Sequence, residues 1–196
     1  MKHLILASAS PRRQELLRGL GLQFDIRTAD IDESMDPSRG AAAEVARISR
    51  EKALAVQKQS TEDAVIIAAD TIVCVDDRIL GKPHTEEEAA EMLHLLSGRV
   101  HQVRTGVTVL QGNHSVTEVE TAEVHFRPLS DAEIAAYIAT SEPMDKAGAY
   151  GIQGRAAIFV EGICGDYFNV MGLPLCRLSQ ILEQFGIAVL GGAEMR

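Results

Sequence analysis

The chain has 196 residues, 46% hydrophobic and 24% charged, a length and balance that fit one soluble folding unit and exclude a disordered or low-complexity polypeptide. Its formal net charge of -9 and the lack of any large Lys/Arg cluster disfavour nucleic acid as a partner, while leaving room for one locally positive pocket that takes a small anion. Cys74, Cys164 and Cys176 are odd in number and widely spaced, which excludes a disulfide framework and a zinc spacing and reads as three core residues in a reducing compartment.

Residues 3–7 read as a buried strand. This apolar run is far too short to span a membrane and is followed at once by charge, so the expectation is a cytoplasmic protein with no membrane partner and no signal peptide. A helix over 11–19 follows, with Pro11 in its first turn and Gly21 just past its end. A second strand near 23–27 leads into the acidic segment DIDESMD, and after Gly40 a long helix runs to about Gln59 before the apolar strand AVIIA. GKPHTEEEAAEMLHLLSG predicts a helix with a Thr85/Glu88 capping box and a Gly98 stop. From Val100 to Phe126 the residues alternate, as in Val103, Thr105, Val107 and Val109, with Gly112 and Asn113 between two runs, the pattern of a long antiparallel hairpin. Ser130 and Glu133 cap another helix. Six of the 16 glycines fall between Gly148 and Gly172, marking a loop region where backbone approaches something closely, and LPLCRLSQILEQFG closes the chain as a helix. Parallel-type βα units combined with a hairpin predict an α/β fold on a mixed twisted sheet with flanking helices.

Five features carry chemistry. In SASPRR, a helix N-terminus with its unpaired N–H groups meets Ser8, Ser10, Arg12 and Arg13, which together make an anion site; a surface helix with solvated arginines is the competing reading. Asp70 lies between apolar residues in AVIIAADTIVCVDD, so its carboxylate needs a cation, or else is structural, capping a turn or paired with an arginine. Lys52 shares a helical stripe with Val45, Ile48 and Val56 and so points inward toward an anion, unless it snorkels to solvent. Lys82, in the constrained turn GKP, could reach the same ligand. The run Asp30, Asp32, Glu33 and Asp36 reads alone as a solvated loop, and beside Asp70 as oxygen ligands for Mg²⁺ or Mn²⁺. The six histidines show no metal-binding spacing. Phosphate donors with metal-binding carboxylates are the parts for water attack on a phosphoanhydride.

SASPRR, IDE at 31–33, the REKA segment around Lys52, AADT at 68–71, LGKP at 80–83 and AGAYGIQG at 147–154 together resemble the Maf family of nucleotide pyrophosphatases, in order from about residue 4 to Pro174. The resemblance implies a single domain over 1–196, similar in architecture to inosine-triphosphate pyrophosphatase, with two lobes around a cleft. It implies hydrolysis of a nucleoside triphosphate between the α and β phosphates with a divalent cation, and a homodimer. By the same resemblance Asp70 is the proton acceptor, Ser8, Arg13, Lys52 and Lys82 hold the triphosphate, and Glu33 joins Asp70 at the metal. Arg12, Thr71 and Gln153 match positions that tell bases apart, and AYGIQG looks like the branch acting on dTTP and UTP rather than the 7-methyl-GTP branch, whose segment ends in SEG. No departure from the motifs removes a catalytic position.

Gln153 makes independent sense for a pyrimidine, because one carboxamide offers an acceptor and a donor to the ring N–H and adjacent carbonyl of uracil or thymine. Without the resemblance it reads as a loop residue bonded to backbone. A nucleotide-binding regulator of septum formation is the non-enzymatic alternative that the family suggests, and it would need the phosphate donors but no water-orienting carboxylate.

Overall fold

A computed structural model describes residues 2–28, 30–76 and 78–190. Seven strands form one mixed sheet: β1 (Leu4–Leu6), β2 (Asp25–Ile26), β3 (Val65–Val75), β4 (Arg78–Leu80), β5 (Val100–Gln111), β6 (His114–Phe126) and β7 (Val160–Cys164). β1 runs parallel to β2 and β3, whereas β3, β5, β6 and β7 are successively antiparallel. Among the described residues, six α-helices accompany the sheet: α1 (Pro11–Gly19), α2 (Ala41–Gln57), α3 (Glu86–Leu96), α4 (Asp131–Ile138), α5 (Tyr167–Met171) and α6 (Leu175–Gln184).

The alternation of β3 decides which helix covers which face. Val65, Ile67, Ala69, Val73 and Val75 join the main core with apolar residues of α1, α3, α4 and α6. Ile66 and Ala68 point the other way and pack on Ala53 and Val56 of α2, while Ile72 and Cys74 pack on Val45 of the same helix. The result is a three-layer sandwich in which, among the described residues, α2 is the α-helix on one side. Docking of α2 depends on Gly106 in β5, since a Cβ there would lie 2.3 Å from the Val45 carbonyl oxygen.

β5 occupies one edge of β3 from Ile66 to Cys74. On the other edge, β1 pairs only with Val65–Ile67 and β4 only with Val73–Val75. The edge between them, residues 68–72, carries no strand among the described residues, and this gap in the sheet edge is termed the cleft below. β3 extends well beyond the expected AVIIA, which sets Asp70 mid-strand.

Several expectations are corrected. Only Cys74 is buried, whereas Cys164 and Cys176 are exposed, because β7 is an edge strand and Cys176 lies on the outer side of α6. The Thr85 hydroxyl accepts from Glu88 N–H, but the Glu88 carboxylate accepts from His84 N–H, so half of that capping box forms; Ser130 and Glu133 make the full one. The glycine-rich region is not all loop, as it holds β7 and α5.

Candidate active site

The cleft places two clusters on opposite sides of the β3 edge. On the α2 side, Lys52 is 9% exposed and Asp70 is 7% exposed. Lys52 Nζ donates to Asp70 Oδ1 at 2.8 Å and lies 3.0 Å from Glu33 Oε1. One ammonium thus serves two carboxylates, one buried and one open to solvent. Asp70 Oδ2 is buried and has no hydrogen-bond partner among the described residues. An oxygen left in this state costs about 1–3 kcal/mol or more, so it calls for a ligand.

Glu33 is held in place from α2. Glu44, fully buried, accepts from Asp36 N–H at 3.2 Å, and Arg47 donates to Glu44 Oε2 and to the Ser34 carbonyl, both at 2.7 Å. The backbone following Glu33 is therefore stapled to the helix that carries Lys52. Hydrogen bonds from Arg47 pull the Glu44 carboxyl below its usual range, so a buried charge persists there.

On the other side stands Arg13. Its Nε donates to the Gly172 carbonyl at 2.7 Å, Nη1 to Ser8 Oγ at 3.2 Å and Nη2 to Thr71 Oγ1 at 3.0 Å. Burial lowers its pKa, and the Asp70 carboxylate opposes that shift, which puts the two groups within electrostatic reach of each other across the edge. Ser8 Oγ also accepts from Ser10 N–H at 3.2 Å. The first intrahelical bond of α1 runs from Gln14 N–H to the Ser10 carbonyl, leaving the N–H groups of Arg12 and Arg13 outside the ladder. Donors therefore face the cleft from the α1 N-terminus, as SASPRR suggests.

Lys82 and Gln153 are exposed, and neither side chain has a hydrogen-bond partner among the described residues. Gly148 N–H donates to the Gly81 carbonyl at 3.0 Å, which ties the Lys82 turn to the AGAYGIQG segment. Arg12 is partly buried and within electrostatic reach of Asp145. Thr71 meets Arg13 and, at 2.9 Å, Thr105. Asp30, Asp32 and Asp36 are exposed; Asp32 and Asp36 turn toward the N–H groups of Ser34 and Ser38.

Sequence reasoning missed the supports. Glu44 and Arg47, four and seven residues past Gly40, look like ordinary helix surface charge. Tyr137, which accepts from Gly151 N–H and donates to Glu142, and Glu142, which accepts from Arg155 N–H, bind the Gln153 loop to α4. Only the polar interruption of an apolar stripe could have flagged Glu44.

A model of the Maf-like protein family matches residues 3–185. The chain belongs to the Maf-like family. Among its Maf-like relatives, the dTTP/UTP pyrophosphatase of Moorella thermoacetica is 53% identical over 97% of this chain and 99% of its own length. That of Symbiobacterium thermophilum is 50% identical over 98% of each, and that of Bacillus cereus 48% identical over 96% of this chain and 93% of its own. The Staphylococcus aureus Ham1 protein, only 13% identical, superposes with a TM-score of 0.55 over 94% of this chain and all of that one, so this Maf-like chain shares its fold.

Proposed function

We propose that this chain is a nucleoside triphosphate pyrophosphatase that hydrolyses dTTP and UTP to the monophosphate and pyrophosphate. The unpaired, buried Oδ2 of Asp70, facing a cleft rimmed by phosphate donors, is the observation that carries this reading. The names of the Maf-like relatives, similar over nearly their whole length, supply the substrate class.

In this reading Asp70 orients a water toward the α phosphorus and accepts its proton, in line with the departing pyrophosphate. The donors left over by the internal hydrogen bonds take the phosphates. Ser8 Oγ accepts twice within the protein, so its own proton is available. Lys52 uses two of its three protons on Asp70 and Glu33 and keeps one for a phosphate oxygen. Arg13 and Lys82 complete the triphosphate grip, and Arg12, Thr71 and Gln153 govern the choice of base.

Glu33 and Asp70 are the residues that would hold a divalent cation. Two carboxylates, one with a buried unpartnered oxygen and one half open to solvent, suit Mg²⁺ or Mn²⁺, which complete their shells with water and phosphate oxygens. When bound, the cation neutralises phosphate charge and polarises the phosphorus under attack. The proposal extends to a single cytoplasmic domain that works as a homodimer. Among the described residues no helix is long and apolar enough to cross a membrane.

The test is a panel of nucleoside triphosphates, including dTTP, UTP and 7-methyl-GTP, with pyrophosphate detection, with and without Mg²⁺. Pyrophosphate release from dTTP and UTP that depends on the cation is expected. Preference for 7-methyl-GTP would overturn the pyrimidine assignment, and binding without turnover would favour a nucleotide sensor.

A further inference from the structure

Arg13 is held by a chain of hydroxyls whose direction is fixed. Thr105 Oγ1 lies 3.0 Å from the Asn169 carbonyl, which can only accept, so the single Thr105 proton goes there. The 2.9 Å contact between Thr71 and Thr105 must then be donated by Thr71. Thr71, its proton spent, can only accept from Arg13 Nη2. Arg13 therefore feeds Thr71, Thr71 feeds Thr105, and Thr105 feeds the Asn169 carbonyl, with no reversal possible at any link.

The chain ends on rigid ground. Thr105 and Asn169 are fully buried, and Asn169 Nδ2 donates to the Val103 carbonyl at 2.9 Å, which fastens α5 to β5. Gly172 closes the other side: its carbonyl takes Arg13 Nε, its φ is 107°, and a Cβ there would approach Thr71 Oγ1 to 3.3 Å. With Nε, one Nη1 proton and one Nη2 proton committed, the guanidinium keeps one N–H on each terminal nitrogen. Those two N–H groups lie in the guanidinium plane and remain for phosphate oxygens.

We infer that Thr105 is a positioning residue for the phosphate grip, aiming the Arg13 guanidinium through Thr71. This deepens the reading given under Proposed function and rests on it. A polarised run of hydrogen bonds strengthens each member, so the guanidinium is held in one orientation before substrate arrives. Because phosphates are common to every substrate, loss of the chain harms dTTP and UTP alike.

The test compares Thr105→Val, which keeps shape and removes the hydroxyl, with Thr105→Ser, which restores it. Thr105→Val is expected to lower kcat/KM about tenfold for both dTTP and UTP, in the range of one lost neutral hydrogen bond, with Thr105→Ser within about twofold of the parent protein. In an Arg13→Lys background, Thr105→Val should cost less than about twofold, since the path it serves is already broken. The same cost in both backgrounds, or a loss confined to one base, overturns the inference. A second readout needs no activity: proton exchange at Arg13 Nε–H, followed by NMR, should speed up at least about tenfold in Thr105→Val and not in Thr105→Ser. Unchanged exchange refutes the relay even if the protein hydrolyses nothing, whereas an inactive parent protein with protected Nε–H refutes the proposed function and leaves the relay standing.

Discussion

Lys52 compensates two carboxylates with one charge, and that sets what happens when it is removed. Breaking a buried pair by deleting one partner typically costs about 3–5 kcal/mol, because the remaining charge stays buried alone. Lys52→Met keeps the apolar stem and leaves Asp70 facing Glu33 without a cation. In chelator-treated buffer the variant should melt well below the parent protein, and added Mg²⁺ should return a clear part of the loss by taking the ammonium's place. Thermal melts with and without Mg²⁺ check this; a loss that the cation does not touch would contradict a shared carboxylate site. The inward direction of Lys52 was legible from its stripe with Val45, Ile48 and Val56, and the need of Asp70 for a cation from its apolar neighbours. That each answers the other was not legible. The pairing depends on how closely α2 lies on the sheet, which Gly106 decides from a strand more than 30 residues beyond Asp70.

At the scale of elements, the AGAYGIQG segment is anchored by an aromatic cluster. His101 of β5 is 2% exposed, meets Tyr150 Oη at 2.8 Å and packs edge-on against Phe126. Burial, with a smaller push from His125, lowers the His101 pKa from 6.5 to about 4. The folded protein refuses a proton that the unfolded chain takes up. Stability is therefore full above pH 6.5 and falls as the pH drops toward about 4, at up to about 1.4 kcal/mol per unit. Denaturant melts across that window should show this slope in the parent protein and a shallower one in His101→Phe; equal slopes would mean that His101 is not the group responsible. The long, strongly patterned elements here, α1, α2, α3 and the β5–β6 hairpin, were legible because periodicity and capping agree over many residues. β4, with three residues, and α5 and β7, with five each, were not, because so few residues carry no period and tertiary pairing makes them.

For the whole molecule, the decisive feature is the interrupted edge of β3. Pairing with a parallel strand stops at Ile67, pairing with an antiparallel one begins at Val73, and the five residues between aim a carboxylate toward α2 and a hydroxyl toward α1. Neither strand alone predicts the gap, which arises from two elements about 70 residues apart ending short of each other; the motifs are visible in sequence, but their convergence is a property of topology. The gap also brings Lys52 and Arg13 to the two sides of Asp70, which gives a chain of net charge -9 local cations for a polyanion. The most direct measurement is hydrolysis of dTTP in water labelled with heavy oxygen, using the parent protein and Asp70→Asn. The label should appear in the monophosphate and not in pyrophosphate, and Asp70→Asn should bind dTTP yet turn over at least about a hundredfold more slowly, the scale of a lost general base. Label in pyrophosphate, or an Asp70→Asn variant as fast as its parent, would contradict attack at the α phosphorus by a water that Asp70 holds.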